Sequence, residues 1–141
     1  MAQLTEFATN NLMLVAALVV IALLIIKTEV GARFSNIQQL NVNEAVRLMN
    51  DENVVLLDVR ESNEYSSGHI RDSIHIPMAS LSKRLSELEK YKNRQILAYC
   101  RSGSRSNSAC STLSKQGFEK VSNLAGGIMG WSNANLPITK K

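Results

Sequence analysis

The chain has two cysteines in 141 residues, too few for a disulfide framework, and they do not form a Cys-x-x-Cys pair. Its only histidines, His69 and His75, are not joined by clustered ligands, so neither a zinc site nor any other metal centre is expected, and no cofactor is implied. Aromatic residues make up 5% of the chain and never interleave with a basic stripe, which leaves nucleic-acid binding without support. There is no internal repeat and no low-complexity tract. Residues 1 to 11 carry no Lys or Arg. A cleaved leader would need that basic start, although Val30-Gly31-Ala32 resembles a cleavage site.

What is present begins with Leu12 to Ile26, fifteen consecutive apolar residues, extending to twenty if counted from Phe7. Twenty helical residues reach about 30 Å and fifteen about 22 Å, so a single, slightly short transmembrane helix is expected. Lys27 and Arg33 follow it and no cation precedes it; the positive-inside rule then places the rest of the chain on the cytoplasmic face of an inner membrane. The expected organisation is an anchor over 1–27, a polar connector over 28–36 and a catalytic domain over 37–137. Residues 35 to 141 hold fourteen Lys or Arg against ten Asp or Glu, the whole +4 excess, which suits anionic small substrates or headgroups.

From Ile37 onward strand and helix signals alternate. Ile37 to Leu40 predicts a short edge strand. Val42, Ala45, Val46 and Met49 fall on one helical face, capped by Asn41 or Asn43. Val54 to Val59 is an apolar run suited to a buried parallel strand, and Ile74 and Ile76 alternate toward Pro77. Leu81, Leu85 and Leu88 predict a second helix ending near Asn93. Ile96 to Tyr99, a helix over Ser106 to Gln116, a strand over Val121 to Leu124 and a short helix around Trp131 complete the pattern. Strands joined by helical crossovers predict an α/β fold with a mainly parallel sheet and functional loops at the strands' carboxyl ends, where Asp58 and Cys100 fall.

Cys100 follows an apolar strand and precedes a helix, with Arg101, Ser102, Gly103, Ser104 and Arg105 between. Such a loop turns backbone N–H groups and the positive end of a helix dipole toward the sulfur. Lowering a thiol pKa by about two units requires roughly 2.7 kcal/mol. A helix terminus supplies about 0.3–1 kcal/mol, so N–H donors and an arginine are needed for the remainder. Cys110, between Ala109 and Leu113, reads as a small packed hydrophobe, with a resolving thiol as the alternative.

Cys100-Arg101-Ser102-Gly103-Ser104-Arg105 resembles the active-site loop of the rhodanese (sulfurtransferase) family. Asp58-Val59-Arg60-Glu61, Glu64-Tyr65, Gly68-His69-Ile70 and Ile76-Pro77 resemble the signature that precedes that loop. Gly117-Phe118, Val121, Leu124, Gly126-Gly127-Ile128 and Trp131 resemble the one that closes the domain. The resemblance implies about five strands with helices on both faces, Cys100 as nucleophile, and a loop over Arg101 to Arg105 that binds the sulfur substrate. It also implies that Asp58 and Arg60 help to hold the loop; Glu64 and His69 are read as support of the same kind. His69 as a general base is the alternative, although a thiolate needs none.

The implied partners are a small-molecule sulfur donor such as thiosulfate and an acceptor, a thiol or cyanide, with a membrane-protein partner possible for an anchored domain. Asp72 and Ser73 stand where the family commonly has glycine and alanine, and His75 where it commonly has asparagine; Asp tolerates the left-handed turn better than most residues. Arg105 follows Cys100 with four residues between, whereas phosphatases of similar fold carry Cys-x5-Arg, a cradle sized for phosphate. Arg101 and Arg105 are candidates for attracting the donor, and either could instead pair with a carboxylate and order the loop. A membrane-anchored docking or redox-sensing module with no efficient turnover is the competing reading. In that case partner binding survives Cys100→Ala.

Overall fold

The computed structural model describes the backbone of residues 1–33 and 37–140, and the side chains of 1–27 and 37–140. It divides into two units, Met1–Asn36 and Ile37–Lys141.

In the first unit the apolar segment is broken. α1 (Ala2–Asn10) ends at Asn11, which leaves helical geometry at φ −126° and ψ 43°, and α2 (Leu12–Arg33) restarts immediately after it. The two meet at 93°, so the polar Thr9-Asn10-Asn11 step does not extend α2 backward to Phe7. This corrects the expectation of one transmembrane helix. Among the described residues no single helix is long and apolar enough to cross a membrane, and only the bent pair Ala2–Asn10 and Leu12–Lys27 together has that length and composition. The expected connector also differs: residues 28–33 continue α2, while 34–36 lie outside the described residues.

The second unit is the expected α/β domain. β1 (Gln38–Leu40), β2 (Val55–Asp58), β3 (Ile74–His75), β4 (Ile96–Tyr99) and β5 (Val121–Leu124) form one sheet in the order β1-β5-β4-β2-β3, with every pair parallel. The interior strands are buried along their full length, which is why β4 reads as an unbroken apolar run and β2 as one broken only by Asp58. Their period of two sorts side chains between two cores. Val55, Leu57, Ile96, Ala98 and Cys100 face one core with Ala109, Cys110 and Leu113; Leu56, Leu97 and Tyr99 face the other with Ala45, Ile128 and Trp131.

The helices follow from local chemistry. α3 (Val42–Met49) starts at a reciprocal cap, with Asn41 Oδ1 accepting from the Glu44 N–H and Glu44 Oε2 accepting from the Asn41 N–H. α5 (Ser104–Lys115) buries Ser106, Ala109, Cys110 and Leu113, a stripe at i, i+3, i+4 and i+7. It begins two residues earlier than expected. The Leu81–Leu88 stripe forms two 3₁₀ helices, Met78–Lys83 and Leu85–Tyr91, instead of one α-helix. Leu81 and Leu88 are fully buried in this geometry as an α-helix would have them, so the apolar pattern alone does not distinguish the two. α4 (Ser62–Ser67) was not anticipated, and α6 (Gly127–Asn133) is the expected helix at Trp131. Asp72 adopts φ 62°, the left-handed turn expected of it.

Candidate active site

β4 ends at Tyr99, and Cys100 is the first residue beyond it. Because Cys100 keeps the parity of Ile96 and Ala98, its sulfur turns toward the core under α5 and is 1% exposed. The chain then reverses through Arg101 and Ser102 to Gly103, whose φ of 99° favours glycine and aims its N–H back at the sulfur, 3.1 Å away. A Cβ on Gly103 would press against the Leu124 carbonyl at 3.2 Å. Glycine is therefore required here for both conformation and space. Ser106 lies one turn into the helix with its hydroxyl 3.4 Å from the same sulfur.

These contacts set the electrostatics. Burial pushes the Cys100 thiol up, but the Ser106 hydroxyl and the N–H groups of Ser106, Gly103 and Ser102 outweigh it and hold the thiol below its ordinary value. Cys110 behaves oppositely. It is fully buried, its sulfur contacts the Ser122 carbonyl, and desolvation pushes its thiol up to about 12. One cysteine is thus arranged for ionisation and the other is kept neutral.

The two arginines of the loop separate. Arg101 is exposed, and among the described residues its guanidinium meets no carboxylate. Arg105, expected as a substrate contact, is held by the Glu64 carboxylate at 2.8 and 2.9 Å. Glu64 Oε2 also accepts from the Glu61 N–H, so the same side chain caps α4 and fastens it to the start of α5. Ser102 and Ser104 are exposed at the loop surface.

Asp58 and Arg60 pair at the carboxyl end of β2. The fully buried Asp58 carboxylate accepts from Arg60 Nε and Nη2 and from the Arg60 backbone N–H. Arg60 Nη2 also donates to the Gly68 carbonyl at 2.8 Å, and its guanidinium lies over the Tyr99 ring. The Asp58 carboxylate thus pairs with Arg60 and not with His69, Arg105 or a loop serine. His69 stacks on Tyr65 at 3.9 Å, places Nδ1 against the Tyr65 carbonyl, and exchanges two backbone hydrogen bonds with Thr139. Since a carbonyl only accepts, Nδ1 carries the proton. These contacts tie His69 to Tyr65 and Thr139, and its hydrogen bonds among the described residues do not reach Cys100.

Several contributors were missed from the sequence. Asn123, buried in β5, donates to the Gly103 carbonyl at 3.0 Å and to Gln39 Oε1 at 2.8 Å, and its own Oδ1 faces Ser106. Two adjacent polar residues, Ser122 and Asn123, inside a strand buried at every position are the signal that could have revealed it. α6 packs on the loop from the other side: the Ile128 and Met129 N–H groups donate to the Cys100 and Arg101 carbonyls. A groove of about 380 Å³ runs along that side, lined in part by Arg60, Arg101, Ile128, Met129 and Asn133. Among the described residues no cluster of potential metal ligands occurs.

Residues 41–134 match the Rhodanese-like domain family. The chain is 44% identical over 92 residues to a sulfurtransferase of Allochromatium vinosum, covering 65% of this chain and 84% of that protein. It is 34% identical over 94 residues to the thiosulfate sulfurtransferase GlpE of Coxiella burnetii, covering 67% and 86% respectively. A rhodanese-related protein from Thermoplasma volcanium superposes with a TM-score of 0.67 at 28% identity, covering 74% of this chain and 99% of that one. With the loop, its sulfur and the five-stranded parallel sheet already in place, these matches assign the chain to the rhodanese-like sulfurtransferase family.

Proposed function

We propose that this protein is a thiosulfate-type sulfurtransferase working through a persulfide on Cys100. The observation that carries the reading is the Cys100 sulfur, held below its ordinary pKa by converging donors in a six-residue loop. In the first step the Cys100 thiolate attacks the outer sulfur of thiosulfate. A bond forms between the two sulfurs, the outer sulfur–sulfite bond breaks, and sulfite leaves with the electron pair. In the second step an acceptor thiolate or cyanide attacks the outer sulfur of the persulfide, and Cys100 departs as thiolate. Loop N–H groups stabilise the charged sulfur at both stages. Arg101 supplies attraction for the anionic donor, and the groove beside Met129 is the approach for the acceptor.

Mass spectrometry of the domain before and after thiosulfate tests the reading. An adduct of one sulfur atom on Cys100, removed by dithiothreitol or cyanide, is the expected result. A well-folded domain that forms no such adduct with any sulfane donor would overturn it.

The first unit gives a second, separate element. Leu12 to Ile26 exposes its apolar side chains almost without exception, and we read it as a membrane attachment. On this reading the cations Lys27 and Arg33 that follow it favour the cytoplasmic face of the inner membrane for the second unit, with a membrane-protein partner within reach. Release of the full chain from membranes by alkaline extraction is the outcome that rejects attachment.

A further inference from the structure

Ser106 is fully buried and has one hydroxyl proton but two neighbours that want it: Cys100 Sγ at 3.4 Å and Asn123 Oδ1 at 2.5 Å. The orientation of the Asn123 amide is fixed. Its nitrogen faces the Gly103 carbonyl and Gln39 Oε1, and the carbonyl is an acceptor only, so Oδ1 must be the atom turned to Ser106. Oδ1 can only accept. With the proton given to Asn123, the Ser106 oxygen presents a lone pair to the sulfur, which suits a neutral S–H that donates to it and opposes a thiolate.

We propose that Asn123 is a positioning residue that competes with the Cys100 sulfur for the single hydroxyl proton of Ser106. When Cys100 ionises, its proton goes to solvent and the Ser106 hydroxyl turns to the sulfur, leaving Asn123 Oδ1 buried without a donor. When a sulfane sulfur is added, charge moves to the outer sulfur, and Ser106 returns to Asn123. Asn123 therefore disfavours the bare thiolate relative to the persulfide. It does so while anchoring the loop through Gly103. The inference rests on the sulfurtransferase reading only for the persulfide step; the competition itself concerns the free thiol.

The other ionisable groups around Cys100 leave this competition intact. Arg105 is paired with Glu64, Arg101 is exposed in the loop, and Cys110 is neutral across from Cys100 on α5.

The test is the pH dependence of Cys100 alkylation by iodoacetamide, a neutral probe, with the site confirmed by peptide mass. Asn123→Ala should free Ser106 for the sulfur and lower the midpoint by about half to one unit, so that alkylation on the acid side is about three- to tenfold faster. Ser106→Ala should raise the midpoint, and on that background Asn123→Ala should no longer lower it. If Asn123 only holds the loop, its loss loosens the Gly103 donor and the midpoint rises instead, which overturns the proposal. Should Asn123→Ala fail to fold, Ser106→Ala alone decides: an unchanged midpoint means the hydroxyl does not serve the sulfur. Failure of sulfur loading in the unmodified protein would instead reject the sulfurtransferase reading, and alkylation reads the competition regardless.

Discussion

Glu64 takes Arg105 end-on, Oε2 to Nη1 at 2.8 Å and Oε1 to Nη2 at 2.9 Å. The last residue of the loop sequence is thereby committed to a carboxylate on α4, and among the described residues Arg101 is the loop cation that meets no carboxylate.

The Arg105 hydrogen bonds lead the causes that hold the Glu64 carboxyl at about 2, far below its ordinary value of 4.5. A depressed carboxylate contributes stability that is fully present above the unfolded value and is lost as pH falls through the folded one. Both side chains are partly exposed, so screening limits the effect to about 1 kcal/mol or less. Glu64→Gln should therefore be less stable than the parent near neutral pH in urea titrations, with the gap closing between about pH 4.5 and 2. A gap that stays constant through that window would mean the lost packing, and not the charge, is what Glu64 supplies.

Asp58 and Arg60 make a stronger prediction, because both are buried. Asp58→Ala leaves a guanidinium uncompensated in the core, a change that costs about 3–5 kcal/mol. It should be severely destabilising by thermal unfolding. The fraction that remains folded in the cold should still load sulfur onto Cys100, since the hydrogen bonds of Asp58 go to Arg60 and none to the sulfur. Normal stability with abolished loading is the result that would make Asp58 catalytic.

The cysteines divide by environment. Cys100→Ser should fold and lose all sulfur loading. Cys110→Ser should retain most activity, because Cys110 is fully buried with its thiol pushed up to about 12, and a serine hydroxyl can serve the Ser122 carbonyl it contacts. Inactivity of a well-folded Cys110→Ser protein would reinstate the resolving-thiol alternative.

What the sequence made legible was set by local chemistry. β4 announces itself as a buried apolar run and β2 as one ending on Asp58, Asn41 with Glu44 marks a cap, and the glycine-containing turn after Cys100 marks the loop. α4 was invisible because Ser62 to Ser67 has no apolar periodicity; the helix depends on Glu64 reaching both Glu61 and Arg105. The Asn123 network joins residues 84 and 20 positions apart in the chain, at Gln39 and Gly103, and no local pattern encodes such a pairing. The bend at Asn11 was not anticipated for a related reason: a count of apolar residues carried back to Phe7 passes over the polar Thr9-Asn10-Asn11 step that breaks the helix.

Loop length separates sulfur chemistry from phosphate chemistry, and the structure shows where to test it. Ser104 already belongs to α5, so an insertion between Ser104 and Arg105 would rotate Arg105 away from Glu64 and confuse loop size with a broken clasp. A glycine inserted between Ser102 and Gly103 widens the cradle while keeping Gly103, Ser106 and Arg105 in register with Asn123 and Glu64. A cradle in which the Gly103 N–H sits 3.1 Å from the sulfur suits one added sulfur atom, not a tetrahedral phosphate with three equatorial oxygens. The unmodified domain should turn over thiosulfate and leave aryl phosphates at background. The insertion should lower sulfur transfer by about tenfold or more, as expected when one oxyanion-hole-type donor is displaced. Arg101→Ala should mainly raise KM for thiosulfate, since an exposed cation that attracts the donor contributes equally to ground and transition states. A matching fall in kcat would assign Arg101 to the transition state. Efficient aryl phosphate hydrolysis by the unmodified domain, with no persulfide on Cys100, would reject the sulfurtransferase reading together with the argument from loop size.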